Sequence, residues 1–230
     1  NLINRFIAIN LYSFFKPLIM KTKTIIPIVV FLLCFQQVIQ AQTLKNKIQK
    51  SVVEIGDTFP EIPMDRLKYL DQVSFLVFKK LEDSTKLDVL FLDKTNQEIS
   101  QLAMIWLQTG MLYYGHSDIF NIQSAGFSPK IEPMPKLAEL KEYGFSIRNT
   151  RGENPISYKI DFGSGNWTVY PKSFQSLNLN SETTFNIYLE NLSDDETKNN
   201  IELLFSDTSS IPKEMLYMAT RINNLLQTKQ

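Results

Sequence analysis

The run Lys86-Leu-Asp-Val-Leu-Phe-Leu92 constrains this chain more than any other stretch. Its apolar side chains fall on both parities of an extended strand, so both faces have to be covered. That is the mark of a buried strand in a parallel sheet rather than of a half-solvated antiparallel one. The run passes directly into Asp93-Lys-Thr-Asn-Gln-Glu-Ile-Ser100 and then into the helical pattern that ends at Gly115. A strand, a short loop and a helix in that order put the loop beyond the carboxyl end of the strand, where open α/β sheets hold their ligands.

The remaining pattern extends this reading. Residues 44–81 read as helical, with Pro60 and Pro63 separating two segments, and apolar positions recur at spacings of three and four in Met64 to Leu81. "IFNIQSAG" predicts a strand ending at Gly126, and "PKLAELKEYG" a helix ending at Gly144. "ISYKIDFG" and "NWTVYP" predict two strands around a Gly-Ser-Gly turn. Residues 172–200 are polar and weakly patterned, and "SIPKEMLYMATRINNLL" predicts a closing amphipathic helix. Alternating strands and helices imply an α/β three-layer sandwich with a short parallel sheet and helices on both faces, over residues 85–230. A helical extension over residues 42–84 is expected to precede it.

Residues 1–41 are read as separate from the fold. The stretch before Met20 has no acid and no element pattern. From Met20, Lys21 and Lys23 precede an apolar run, Ile25 to Phe35, and Ile39-Gln40-Ala41 offers a small-residue cleavage site ahead of Gln42. This has the form of a secretory signal. The run is about half of the roughly 20 residues that cross a bilayer, so no membrane insertion is expected after cleavage. The expected location is periplasmic or secreted. Loss of this segment removes Arg5, Lys16, Lys21, Lys23 and no acid, so 24 bases against 24 acids become 20 against 24. A balance of about −4 argues against a nucleic-acid surface. The single cysteine, Cys34, leaves with the signal, which excludes disulfides and thiolate chemistry from the mature chain.

A phosphate-binding loop uses glycine, free backbone N–H groups and a cation, because the helix N-terminus already attracts an anion. The loop from Leu92 to Ser100 has no glycine, and Asp93 and Glu98 flank its one cation, Lys94. Thr95-Asn96-Gln97-Glu98 also fits a capping box, in which Thr95 and Glu98 satisfy the first N–H groups of the helix reciprocally. The expectation is that the loop binds mainly its own helix, with Glu98 in the electrostatic place of a phosphate; a cation, a neutral ligand or residual anion binding are the alternatives. The stretch Asp-Lys-Thr after a strand also meets the start of the haloacid-dehalogenase nucleophile motif, but neither the second Asp nor the Gly-Thr that continues it is present.

A wider similarity covers Leu87 to Thr150 well and the rest loosely. "LDVLFLDKTNQEISQLAMIWLQT", then "YYG", "NIQSAGFSP", "KLAELKEYGFSI" and "RGENPISYKI", resembles the low-molecular-weight protein tyrosine phosphatase and arsenate reductase family, bacterial branch. On that pattern the family's nucleophilic cysteine falls on Asp93 and its phosphate-gripping arginine on Ile99, while Asn96 and Ser100 stand where the family has Asn and Ser. The resemblance implies a degenerate catalytic loop, since a thiolate and a bidentate guanidinium carry that chemistry. The family's general acid is an Asp-Pro aspartate; Asp194 or Asp195, without the proline, is the nearest candidate, and the choice between them stays open.

His116, the one histidine, is expected to cap a helix end. Trp106, Tyr113, Tyr114, Trp167 and Tyr170 are expected to pack. No metal or cofactor is expected. The resulting expectation is an exported, catalytically inactive phosphatase-like module that binds a small ligand or a protein. The alternative is a hydrolase using Asp93 with Asp194 or Asp195 as proton donor.

Overall fold

The computed structural model describes residues 42–149, 156–191 and 201–229. The signal reading, the Gly152–Pro155 turn and the acid candidates Asp194 and Asp195 lie outside these residues. Strand β1 (Leu87–Asp93) is the inner strand predicted from its two-sided apolar pattern. It pairs in parallel with β2 (Phe120–Gly126) on one edge and β6 (Thr184–Tyr188) on the other. A two-residue strand, β7 (Ile201–Glu202), extends the sheet to the order β2-β1-β6-β7.

Alternation along β1 splits the core in two. Leu87, Val89 and Phe91 face a large cluster built with α1 (Asn46–Gly56), α2 (Met64–Glu82), α3 (Glu98–Tyr113) and α4 (Ile211–Gln227). Leu90 and Leu92 face the other way, with Ala125, under Phe127, Phe174, Leu177, Leu179 and Tyr188. The third layer is therefore a thin one: a 3-10 turn, Phe174–Ser176, and irregular chain close the face that the sequence pattern assigned to helices. Ile48, Val52, Leu70, Val73 and Val77 are buried in the same cluster as Phe91 and Ile105. Residues 42–84 thus contribute buried side chains to the core.

Three local readings are corrected. "PKLAELKEYG" forms a 3-10 helix, Pro135–Lys141, too short for an α-helical crossover. The strands β3 (Ser146–Asn149), β4 (Tyr158–Asp161) and β5 (Asn166–Val169) make a separate antiparallel sheet rather than joining the parallel one. Strand β6 lies inside the stretch read as unpatterned; its signal is the alternation Phe185, Ile187, Leu189.

The end of α3 follows the sequence reading. Gly115 and His116 donate their backbone N–H groups to Leu112 and Met111 carbonyls at 3.2 and 2.8 Å, the paired bonds of a Schellman cap. The His116 ring meets Asn223 Oδ1 of α4 at 2.9 Å. Trp106, 1% exposed, packs edge-on against Tyr143 and Phe145. No helix among the described residues is long and apolar enough to cross a membrane.

Helices α3 and α4 approach closely because Gly110 faces Ala219. A Cβ at Gly110 would lie 2.3 Å from the Ala219 Cβ and 3.3 Å from Leu216 Cδ2. Gly110→Ala should therefore lower stability in urea unfolding by about 1–3 kcal/mol, as overpacking does, despite a helix-propensity gain of about 1 kcal/mol. Equal or greater stability would show that the helices separate freely.

Candidate functional site

The sheet geometry brings two acids to one loop. Parallel pairing sets Leu92 beside Tyr188, and Leu189 N donates to Leu92 O at 2.8 Å, so the two strand ends emerge together. Asp93 closes β1, and Glu190 stands two residues past β6. The Asp93 carboxylate folds back onto the loop it begins. Its Oδ1 accepts the backbone N–H of Thr95 at 3.0 Å and that of Asn96 in a shorter bond. Glu190 Oε1 accepts the backbone N–H of Lys94. Three successive loop N–H groups, the kind of donors that an oxyanion would need, are thus held by two carboxylates of the chain itself.

Asn96 fixes the turn. It is fully buried with φ of +49°, a left-handed conformation that asparagine tolerates better than most residues. Its Nδ2 donates to Ser100 Oγ at 3.1 Å, and its Oδ1 accepts from Gln101 Nε2 at 3.0 Å and from Lys172 N at 2.7 Å. Gln101 continues the network: Nε2 donates to Tyr170 O, and Oε1 accepts the Ser124 hydroxyl at 3.0 Å. A polar network this complete rigidifies the loop, because every buried donor that moved would lose its partner. The loop also presses against Gly126 at the end of β2, where an added Cβ would lie 2.7 Å from Asn96 N. Only a residue without a side chain fits there.

The capping-box expectation is corrected. The residue flanking α3 is Gln97, and no side chain caps it. Thr95 lies outside the helix because Asn96 turns the chain between them. Glu98 does not stand in an anion site of this loop: its Oε1 accepts the Lys136 N–H at 2.8 Å, at the start of the 3-10 helix. The loop does bind itself, but Asp93 and Glu190 supply the charge. Ile99 packs against the main core, and Ser100 is buried beside the Asp93 carboxyl and Gln97 O.

Burial pushes the Asp93 carboxyl above the ordinary carboxylate range, and the nearby Glu190 charge adds to this; the Ser100 hydroxyl and the Asn96 and Thr95 N–H groups work in the opposite direction. Burial likewise lowers the Lys172 ammonium, whose Nζ stands 5.7 Å from the centre of the Tyr170 ring. A carboxylate already accepting two N–H bonds in a buried loop is poorly placed to attack an electrophile. No group of three or more histidine, cysteine or acidic side chains able to hold a metal occurs among the described residues. Glu190, Gln101 and Lys172 escaped the sequence reading. Glu190 was within reach of it, as the acid that directly follows the Phe185-Ile187-Leu189 alternation.

No protein-family model and no curated protein matches the chain. Among solved structures, a thioredoxin-dependent arsenate reductase of Corynebacterium glutamicum aligns with 86% of this chain and 92% of its own, at 21% identity and a TM-score of 0.33. A match at that level carries no argument about the site.

The Asp93 geometry has a pH signature. A carboxyl with a raised folded value binds its proton more tightly folded than unfolded. Its contribution to stability is therefore greatest below the ordinary carboxylate value, near pH 4, and is lost as pH rises toward the folded value. Asp93→Asn keeps an acceptor for both N–H groups without the charge. Its melting temperature should equal or exceed wild type at pH 7, with the excess vanishing below about pH 4. Asp93→Ala leaves both donors unpaired and should cost about 1–3 kcal/mol at either pH. An Asn variant as unstable as the Ala variant would show that the negative charge itself holds the loop.

Proposed function

We propose that this chain is an exported, non-catalytic relative of the low-molecular-weight phosphatases and arsenate reductases, acting as a binding or interaction module. The observation that carries the reading is the occupation of the Lys94, Thr95 and Asn96 N–H groups by Asp93 and Glu190. Two carboxylates at that place repel a phosphate or arsenate dianion and already hold the donors that would grip it. The sequence resemblance supports the family, with Asp93 and Ile99 at the positions of the nucleophile and the arginine. Export is supported by the signal-like segment from Met20 to Ala41. It is also supported by the fixing of the chain from the second residue after the proposed cut: Thr43 N donates to Ser164 Oγ at 2.8 Å, and Lys45 N to Phe162 O at 2.7 Å.

The reading makes two expectations of the purified protein. Aryl phosphate hydrolysis and thiol-dependent arsenate reduction should stay at the buffer blank, and phosphate at millimolar concentration should raise the melting temperature no more than chloride of matched ionic strength. Turnover above the blank that disappears in Asp93→Ala would establish the alternative, a hydrolase built on Asp93. Phosphate stabilisation without turnover would instead show a surviving oxyanion site.

A further inference from the structure

A cavity of about 90 Å³ lies beside the outer edge of β2, lined by Gln42, Gln108, Met111, Phe120, Ile122 and Trp167 among others. Gln108, on α3, reaches across to the strand edge. Its Nε2 donates to Ile122 O at 2.7 Å, while its Oε1 is buried and meets no donor among the described residues. A buried acceptor without a partner costs stability of the order of 1–3 kcal/mol, so such an atom marks a place where a donor is missing. Gln42 is the exposed residue at the mouth of this cavity. The next residue, Thr43, is fixed by Ser164 on both its N–H and its carbonyl, and Leu44 bridges Gly163. Anchored one residue away, Gln42 is held near the cavity it lines.

We infer that the mature N-terminus is a pyroglutamate formed from Gln42, and that the Gln108 cavity is its docking site, with the lactam N–H donating to Gln108 Oε1. The inference rests on the export reading, because only cleavage after Ala41 frees the Gln42 amine. The free amine attacks Cδ of its own side-chain amide; the N–Cδ bond forms, the Cδ–Nε2 bond breaks, and ammonia leaves. No oxidant or second substrate is needed. An open terminus carries a strongly hydrated ammonium, which would have to shed water to enter a cavity walled partly by Phe120, Ile122 and Trp167. Cyclisation replaces it with a neutral ring that carries one donor, and Gln108 Oε1 offers one acceptor.

The test uses the full chain exported by its host and purified as processed. Intact mass and terminal sequencing should give a chain starting at Gln42 and lighter by one ammonia. Pyroglutamyl aminopeptidase should remove the ring from native protein about tenfold more slowly than from a Gln108→Met variant of unchanged circular dichroism, in line with loss of one buried hydrogen bond. Trp167 lines the cavity while Trp106 is fully buried, so ring removal should shift fluorescence through Trp167 and not in a Trp167→Phe variant. A start at Met20 or before it would overturn the export reading and with it this inference; a start at any other residue but Gln42 would overturn the inference alone. A start at Gln42 with an open terminus, or equal removal rates with and without Gln108, would overturn the inference alone.

Discussion

Burial of β1 on both faces, with hydrogen-bonded neighbours on both edges, is the constraint on which the remaining structure depends. A strand so enclosed cannot slip in register without moving Leu90 and Leu92 out of one core and Phe91 out of the other. Its carboxyl end is therefore a fixed point. The loop that leaves it, the glycine of β2 against which the loop presses, and the acid that follows β6 all take their positions from it.

At that fixed point the chain resolves an electrostatic problem internally. Backbone N–H groups that converge near the start of a helix attract negative charge. Here the charge comes from Asp93 and Glu190, held in place by strand pairing. The arrangement satisfies the loop's donors but buries the Asp93 carboxyl, and that burial, with a smaller contribution from the nearby Glu190 charge, pushes it upward. Asn96, Gln101 and Ser124 then lock the turn through side chains that reach backbone or one another. Rigidity and self-occupancy are properties of one network.

Legibility followed the range of the interactions involved. The strand-loop-helix unit from Leu87 to Tyr113, the Gly115 cap, the β4–β5 hairpin and the final helix were readable because each is written in local periodicity or in a turn residue. The site was half readable. Asp93, Asn96 and Ser100 were identified in the loop, but Thr95 and Glu98 were expected to cap α3, whereas the Thr95 N–H goes to Asp93 and the Glu98 carboxylate accepts the Lys136 N–H. A capping-box pattern counts residues along the chain and cannot register that Asn96 takes a positive φ, which removes Thr95 from the helix start.

The sequence by itself determined that a buried strand leads into a glycine-free acidic loop and a long apolar helix, because side-chain polarity and spacing act within a few residues. The tertiary structure alone decided that Glu190 joins Asp93, that Gly110 meets Ala219, and that Gln108 and Gln42 line one cavity. Those meetings span tens to more than a hundred positions of chain. They follow from which strands pair and which helices cross, and packing of the whole core settles that choice where no local pattern can.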